Sequence, residues 1–80
     1  MRVLLFGPLQ DLAGWRERRL DPPARTLGEL KARLGSNDPR LAQALSGPGV
    51  QVAVGKALTR GDAALTPEAE VAFLPPMSGG

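Results

Sequence analysis

Eighty residues, 42% of them hydrophobic, with ten basic against eight acidic side chains, fit one small folded domain with a single modest core rather than a disordered segment. Cysteine and histidine are both absent, which excludes a disulfide framework, Cys/His metal sites, a thiolate nucleophile and an imidazole base. A net charge of only +2, with one Trp, two Phe and no Tyr, argues against a nucleic-acid platform, and no apolar run approaches the ~18 residues of a membrane span.

From Arg2 to Phe6 the chain is a short apolar run closed by Gly7-Pro8, the pattern of a strand buried in the middle of a sheet. The run is too short for a signal-peptide core, so the chain reads as cytoplasmic. Gln10 to Gly14 is expected as a turn, and Trp15 to Leu20 as a polar edge strand ended by Asp21-Pro22-Pro23, since proline cannot donate to a ladder. The densest basic stretch, Arg16-Glu17-Arg18-Arg19, lies in that strand and reads as a solvated, aggregation-resistant edge.

Thr26-Leu27-Gly28-Glu29 has the spacing of a capping box, and Leu27, Leu30 and Leu34 follow at helical period. Gly35 is expected to stop this helix in the left-handed conformation. A second short helix is expected from Asp38 as N-cap with Pro39 at its first position, with Leu41, Ala44 and Leu45 on its apolar side. Val50 to Val54 alternates as a half-buried strand, Gly55-Lys56 turns the chain, and Ala57-Leu58-Thr59 pairs back briefly. Leu65-Thr66-Pro67-Glu68 is a turn and Glu70 to Leu74 the last strand. The order ββ-α-(α)-βββ predicts an α+β fold of the β-grasp, ubiquitin-like kind: a mixed sheet of about five strands, its first and last strands parallel neighbours, with one main helix across one face.

Val71-Ala72-Phe73-Leu74 runs into Pro75-Pro76-Met77-Ser78-Gly79-Gly80. Two prolines hold a chain extended, so residues 75–80 are expected to stand off the domain as a tail. Glycine lacks Cβ, so a Gly-Gly end threads a channel too narrow for other residues. A frayed end is the plainer explanation, because termini are often loose. In the last strand Val71 and Phe73 share one side, and Ala72 and Leu74 the other. With Phe73 under the helix, Leu74 would face outward beside Phe6, and Leu58 would extend that patch; ordinary core packing is the alternative.

The stretch Glu70-Val-Ala-Phe-Leu-Pro-Pro-Met-Ser-Gly-Gly80 resembles the end of molybdopterin synthase small subunits, the MoaD group of the MoaD/ThiS sulfur carriers. Val3-Leu-Leu-Phe6, Asp11-Leu-Ala-Gly14 and Thr26-Leu-Gly-Glu-Leu30 fit the same group, so the resemblance spans the chain while only the tail is highly specific. Gly55 stands where that group often has Asn, and Pro67-Glu-Ala69 where it often has Asp-Gly-Asp; both departures lie in turns.

The resemblance implies a sulfur carrier, a cosubstrate with its catalytic groups on partners. An E1-like enzyme would use ATP to adenylate the Gly80 carboxylate, and a sulfur donor protein would convert it to a thiocarboxylate. The large subunit of molybdopterin synthase would pass that sulfur to cyclic pyranopterin monophosphate, in an assembly of two small and two large subunits. Gly79, Ser78, Pro76 and Pro75 would give the tail clearance, and Phe6, Leu58, Leu74 and Met77 the partner contact. No bound cofactor, metal, nucleic acid or membrane partner is implied. A related carrier for thiazole synthesis or tRNA thiolation, or a ubiquitin-like protein modifier, is the alternative, and the identity of the acceptor separates them.

Overall fold

The computed structural model describes residues 1–76. In chain order the elements are β1 (Arg2–Leu5), α1 (Pro8–Ala13), β2 (Glu17–Arg19), α2 (Leu27–Gly35), α3 (Pro39–Leu45), β3 (Gln51–Val54), β4 (Ala57–Thr59) and β5 (Glu70–Leu74). The sheet runs β2-β1-β5-β3-β4. β1 and β5 are parallel and central, and the other pairs are antiparallel. This is the β-grasp expected from the element order, with the helices on one face. Among the described residues no helix is long and apolar enough to cross a membrane.

Alternation along the strands builds the core. Val3 and Leu5 of β1, Val71 and Phe73 of β5 and Val52 of β3 all point under the helices and are buried. Leu27, Leu30 and Leu34 of α2, Leu41 and Leu45 of α3 and Leu9 of α1 meet them from above. Each such side chain contributes roughly 1.5–3 kcal/mol by leaving water, so this layer carries the stability of the chain.

The caps are largely those the sequence implies, and three amides of α2 show how. The Glu29 N–H donates to Thr26 Oγ1 at 3.1 Å, as a capping box requires. The Glu29 carboxylate reaches one residue further back than expected, accepting from the Arg25 N–H. Two more first-turn amides are met from a distant loop: Leu27 donates to the Ala63 carbonyl at 2.9 Å and Gly28 to Asp62 Oδ1 at 2.8 Å. In α3 the Leu41 N–H donates to Asp38 Oδ1 at 3.1 Å, with Pro39 at the first position.

Two expectations about local structure are corrected. Residues 10–13 of the expected turn 10–14 are instead most of α1. Gly7, at φ 59°, is its N-cap, Pro8 opens it with φ already helical, and Gly14 closes it at φ 81°. Gly35 is not a left-handed stop either: the residue after it, Ser36, is right-handed at φ −61°. A Cβ on Gly35 would lie 2.3 Å from Ala42 Cβ and 2.9 Å from Ala42 Cα. Glycine stands there so that α2 and α3 can cross closely. The β3–β4 hairpin turns on Gly55 and Lys56, both at positive φ (56° and 71°), the conformation of a two-residue type I′ turn.

Candidate functional site

Among the described residues no helix covers the other face of the sheet, and the strand register lays its side chains in rows. Glu17, Leu4, Ala72, Ala53 and Leu58 are successive cross-strand partners from β2 to β4. On one side of this row lie Arg2 and Glu70, which also pair in register. On the other side, at the end where β5 finishes, Leu74 pairs with Gln51 and lies beside Phe6, which follows β1. Phe6 is 40% exposed and Leu58 64%, while Leu4, Ala53, Ala72 and Leu74 are half-buried. The open face therefore grades from a charged end to an apolar end at the root of the tail.

The charged end is a three-residue network. Arg2 grips Glu17 with two nitrogens at 3.0 Å each and reaches Glu70 Oε2 at 3.1 Å. The hydrogen bond from Arg2 holds the Glu17 carboxyl below the ordinary carboxylate range, and that same bond raises the Arg2 guanidinium. All three side chains face solvent to a large extent, so the network fixes geometry more than stability. The neighbouring Arg18 lies over the Trp15 ring at 4.6 Å from its centroid; Arg18 and Arg19 are exposed on the edge strand β2, and Arg16 is exposed just before it.

Beyond Leu74 the ladder ends, because Pro75 and Pro76 have no N–H to donate. Two glycines of neighbouring loops lie close to them. A Cβ on Gly7 would lie 3.0 Å from Pro75 Cγ, and one on Gly49 would lie 2.9 Å from Pro76 Cβ. The two prolines therefore rest against the backbone of the loops that follow β1 and precede β3. Met77, Ser78, Gly79 and Gly80 lie outside the described residues.

Of the residues singled out in the sequence, Phe6, Leu58 and Leu74 lie on the same open face, with Leu58 two strands away from Leu74, and Pro75 and Pro76 follow β5. Ala72 lies on the side it shares with Leu74, as its alternation in β5 implies, whereas Leu4 and Ala53 were missed. The run Val3-Leu4-Leu5 reads as a strand buried on both sides, and only the missing second layer shows that Leu4 faces out. Gly7 and Gly49 were missed as neighbours of the tail, since nothing local in the chain links them to residues 75 and 76. Among the described residues no polar or charged side chain is buried. No cluster of three His, Cys, Asp or Glu among them would hold a metal.

Comparison with known proteins places this geometry. The family model described as "ThiS family" matches residues 3–80. Among solved structures the chain is similar to SAMP1 from Haloferax volcanii, 28% identical over 100% of this chain and 98% of that one, with a TM-score of 0.83. It is similar in fold to small archaeal modifier protein 1 (SAMP1) from Methanosarcina acetivorans, at 22% identity, TM-score 0.84 and coverage of 99% and 94%. Urm1 from Sulfolobus solfataricus shares the fold at 17% identity, TM-score 0.68 and coverage of 94% and 99%. Among curated proteins nothing matches. These findings overturn the reading as a molybdopterin synthase small subunit: the likenesses are to SAMP1 and Urm1, not to the MoaD group. The pterin acceptor falls with it.

Proposed function

We propose that this chain, which belongs to the ThiS family, is a sulfur carrier and protein modifier of the SAMP and Urm1 kind. Membership makes it a small non-catalytic carrier with an E1-like activating partner and a downstream acceptor. Gly80 is the reacting residue. The activating enzyme joins its carboxylate to the AMP of ATP and releases pyrophosphate, because a carboxylate is otherwise a poor electrophile. Sulfide from a donor protein displaces AMP to give the thiocarboxylate. Attack by a lysine Nζ on that carbonyl expels the sulfur and leaves an isopeptide; a thiolation acceptor takes the sulfur instead and returns the carboxylate. All of these steps belong to the ATP-containing cytoplasm.

The observation that carries this reading is the full-length likeness to SAMP1 from Haloferax volcanii at 28% identity and a TM-score of 0.83. The geometry supports it: the open apolar face supplies a contact for the activating enzyme, and the chain leaves from the edge of that contact. Phe6, Leu58, Leu74 and Met77 bind the partner, and Ser78 and Gly79 keep the approach to Gly80 narrow.

Mass spectrometry of conjugates tests it. Arg60 is the last basic residue of the chain, so trypsin would leave residues 61–80 attached to a modified lysine. Recovery of that remnant from cells expressing the chain supports the modifier; a thiocarboxylate with no remnant and loss of thiolated tRNA in the deletion strain assigns sulfur transfer alone. Neither product, or either one persisting in a chain lacking Gly79 and Gly80, defeats the proposal.

A further inference from the structure

We infer that Gly7 and Gly49 form a collar that aims the C-terminal segment, a positioning role resting on the carrier reading above. Five described glycines have positive φ: Gly7, Gly14, Gly49, Gly55 and Gly61. At Gly14, Gly55 and Gly61 an added Cβ would meet nothing within 4 Å, so those positions need glycine only for the backbone conformation. Gly7 and Gly49 differ. Each has positive φ, and each faces a proline of the exit so closely that an added methyl group would press on it, with Pro75 Cγ at 3.0 Å or Pro76 Cβ at 2.9 Å.

Topology explains why these two residues bracket the exit. β5 lies between β1, which is parallel to it, and β3, which is antiparallel. Residues that follow β5 therefore pass between the residue sequence that follows β1 and the one that precedes β3, and these contain Gly7 and Gly49. Ordinary residues there would continue the ladder on both sides. Prolines cannot donate, so close packing of two rings on two bare backbones replaces the hydrogen bonds as the constraint on direction. An added methyl group on either side pushes the prolines away, and the shift at the root is carried to everything beyond it. Misplacement of about 1 Å at a reacting centre costs on the order of a hundredfold in rate, while the open face that binds the partner is untouched.

The test compares Gly7→Ala and Gly49→Ala with Gly61→Ala, which also puts a Cβ on a residue at positive φ but meets nothing within 4 Å. With the activating enzyme and ATP, Gly61→Ala should adenylate like the wild type, and the two collar variants should lose about tenfold or more in kcat with little change in KM. Adding Pro75→Ala to Gly7→Ala removes the Cγ that collides, leaving Cβ at 3.7 Å, and should restore most of the loss. Equal kcat in all three single variants, or no relief in the double variant, overturns the collar. In the free wild-type protein, nuclear Overhauser contacts should join Gly7 Hα to the Pro75 ring and Gly49 Hα to the Pro76 ring; their absence overturns it independently of any enzyme. A wild-type chain that shows these contacts but is never adenylated leaves the collar standing and defeats the carrier reading instead.

Discussion

The two faces of the sheet are made by the same strands in alternation, yet they have opposite fates. Under the helices Val3, Leu5, Val71 and Phe73 are fully buried at 0% exposure. One residue along each strand, Leu4, Ala72 and Leu74 stay half-buried with no layer above them. The open face is also where charge collects, in the Arg2, Glu17 and Glu70 network. A one-residue step in register thus separates side chains that hold the domain together from side chains free to meet a partner. Central parallel strands with one open apolar face are unusual in a monomer, since such sheets are generally covered on both sides. The open face is the feature that the proposed carrier role uses.

The largest expected effect lies on the covered face. Phe73 is among the largest fully buried side chains, and Phe73→Ala should cost about 3–5 kcal/mol, a large fraction of what a small domain has. Chemical denaturation would show a fall in midpoint of that size, or a chain unfolded before denaturant is added. A loss under about 1 kcal/mol would mean that the helices are not what stabilises this sheet, and the contrast between the faces would break.

One position along, the outcome should change kind. Leu74→Glu places a charge on the open face next to Phe6, where water can still solvate it. The variant should melt near the wild type yet bind the activating enzyme at least about tenfold more weakly, an effect of about 1.4 kcal/mol. Calorimetric titration alongside a thermal melt separates the two quantities. Leu58→Ser, on a side chain 64% exposed, should follow the same pattern with a smaller loss. If Leu74→Glu unfolds the chain, Leu74 belongs to the core and the open face ends before the tail.

Much of this architecture was legible in the chain. The Thr26 and Asp38 caps, the leucine period of α2 and the alternation of β5 are local, and local physics sets them. What was not legible depends on residues distant in sequence. α1 was lost because Gly7-Pro8 marks a helix start and a strand stop equally well, and six residues are too few to show a period. The purpose of Gly35 lies on another helix, at Ala42; that of Asp62 lies 34 residues back, at the Gly28 amide. The acceptor was misjudged for a related reason. The tail motif of residues 70–80 is local, but the open face is assembled from β1, β3, β4 and β5 together.

The smallest effect, and the finest test of the contrast, belongs to the charged end of the open face. Glu17 has its carboxyl pulled below the ordinary range chiefly by its hydrogen bond from Arg2. A group whose pKa is lower folded than unfolded stabilises the fold above its unfolded value, about 4.5, and that contribution disappears as pH falls through the lowered folded value. Glu17→Gln should therefore lower the melting temperature slightly at pH 7, and the difference from the wild type should shrink below about pH 4.5 and vanish in stronger acid. Salt at 1 M, with a Debye length of about 3 Å, should shrink it at neutral pH as well. Thermal melts of both proteins from pH 2.5 to 7 would trace this window. A deficit as large as that of Phe73→Ala, or one that grows in acid, would show the open face holding the fold in its own right, and the division of labour between the two faces would fail.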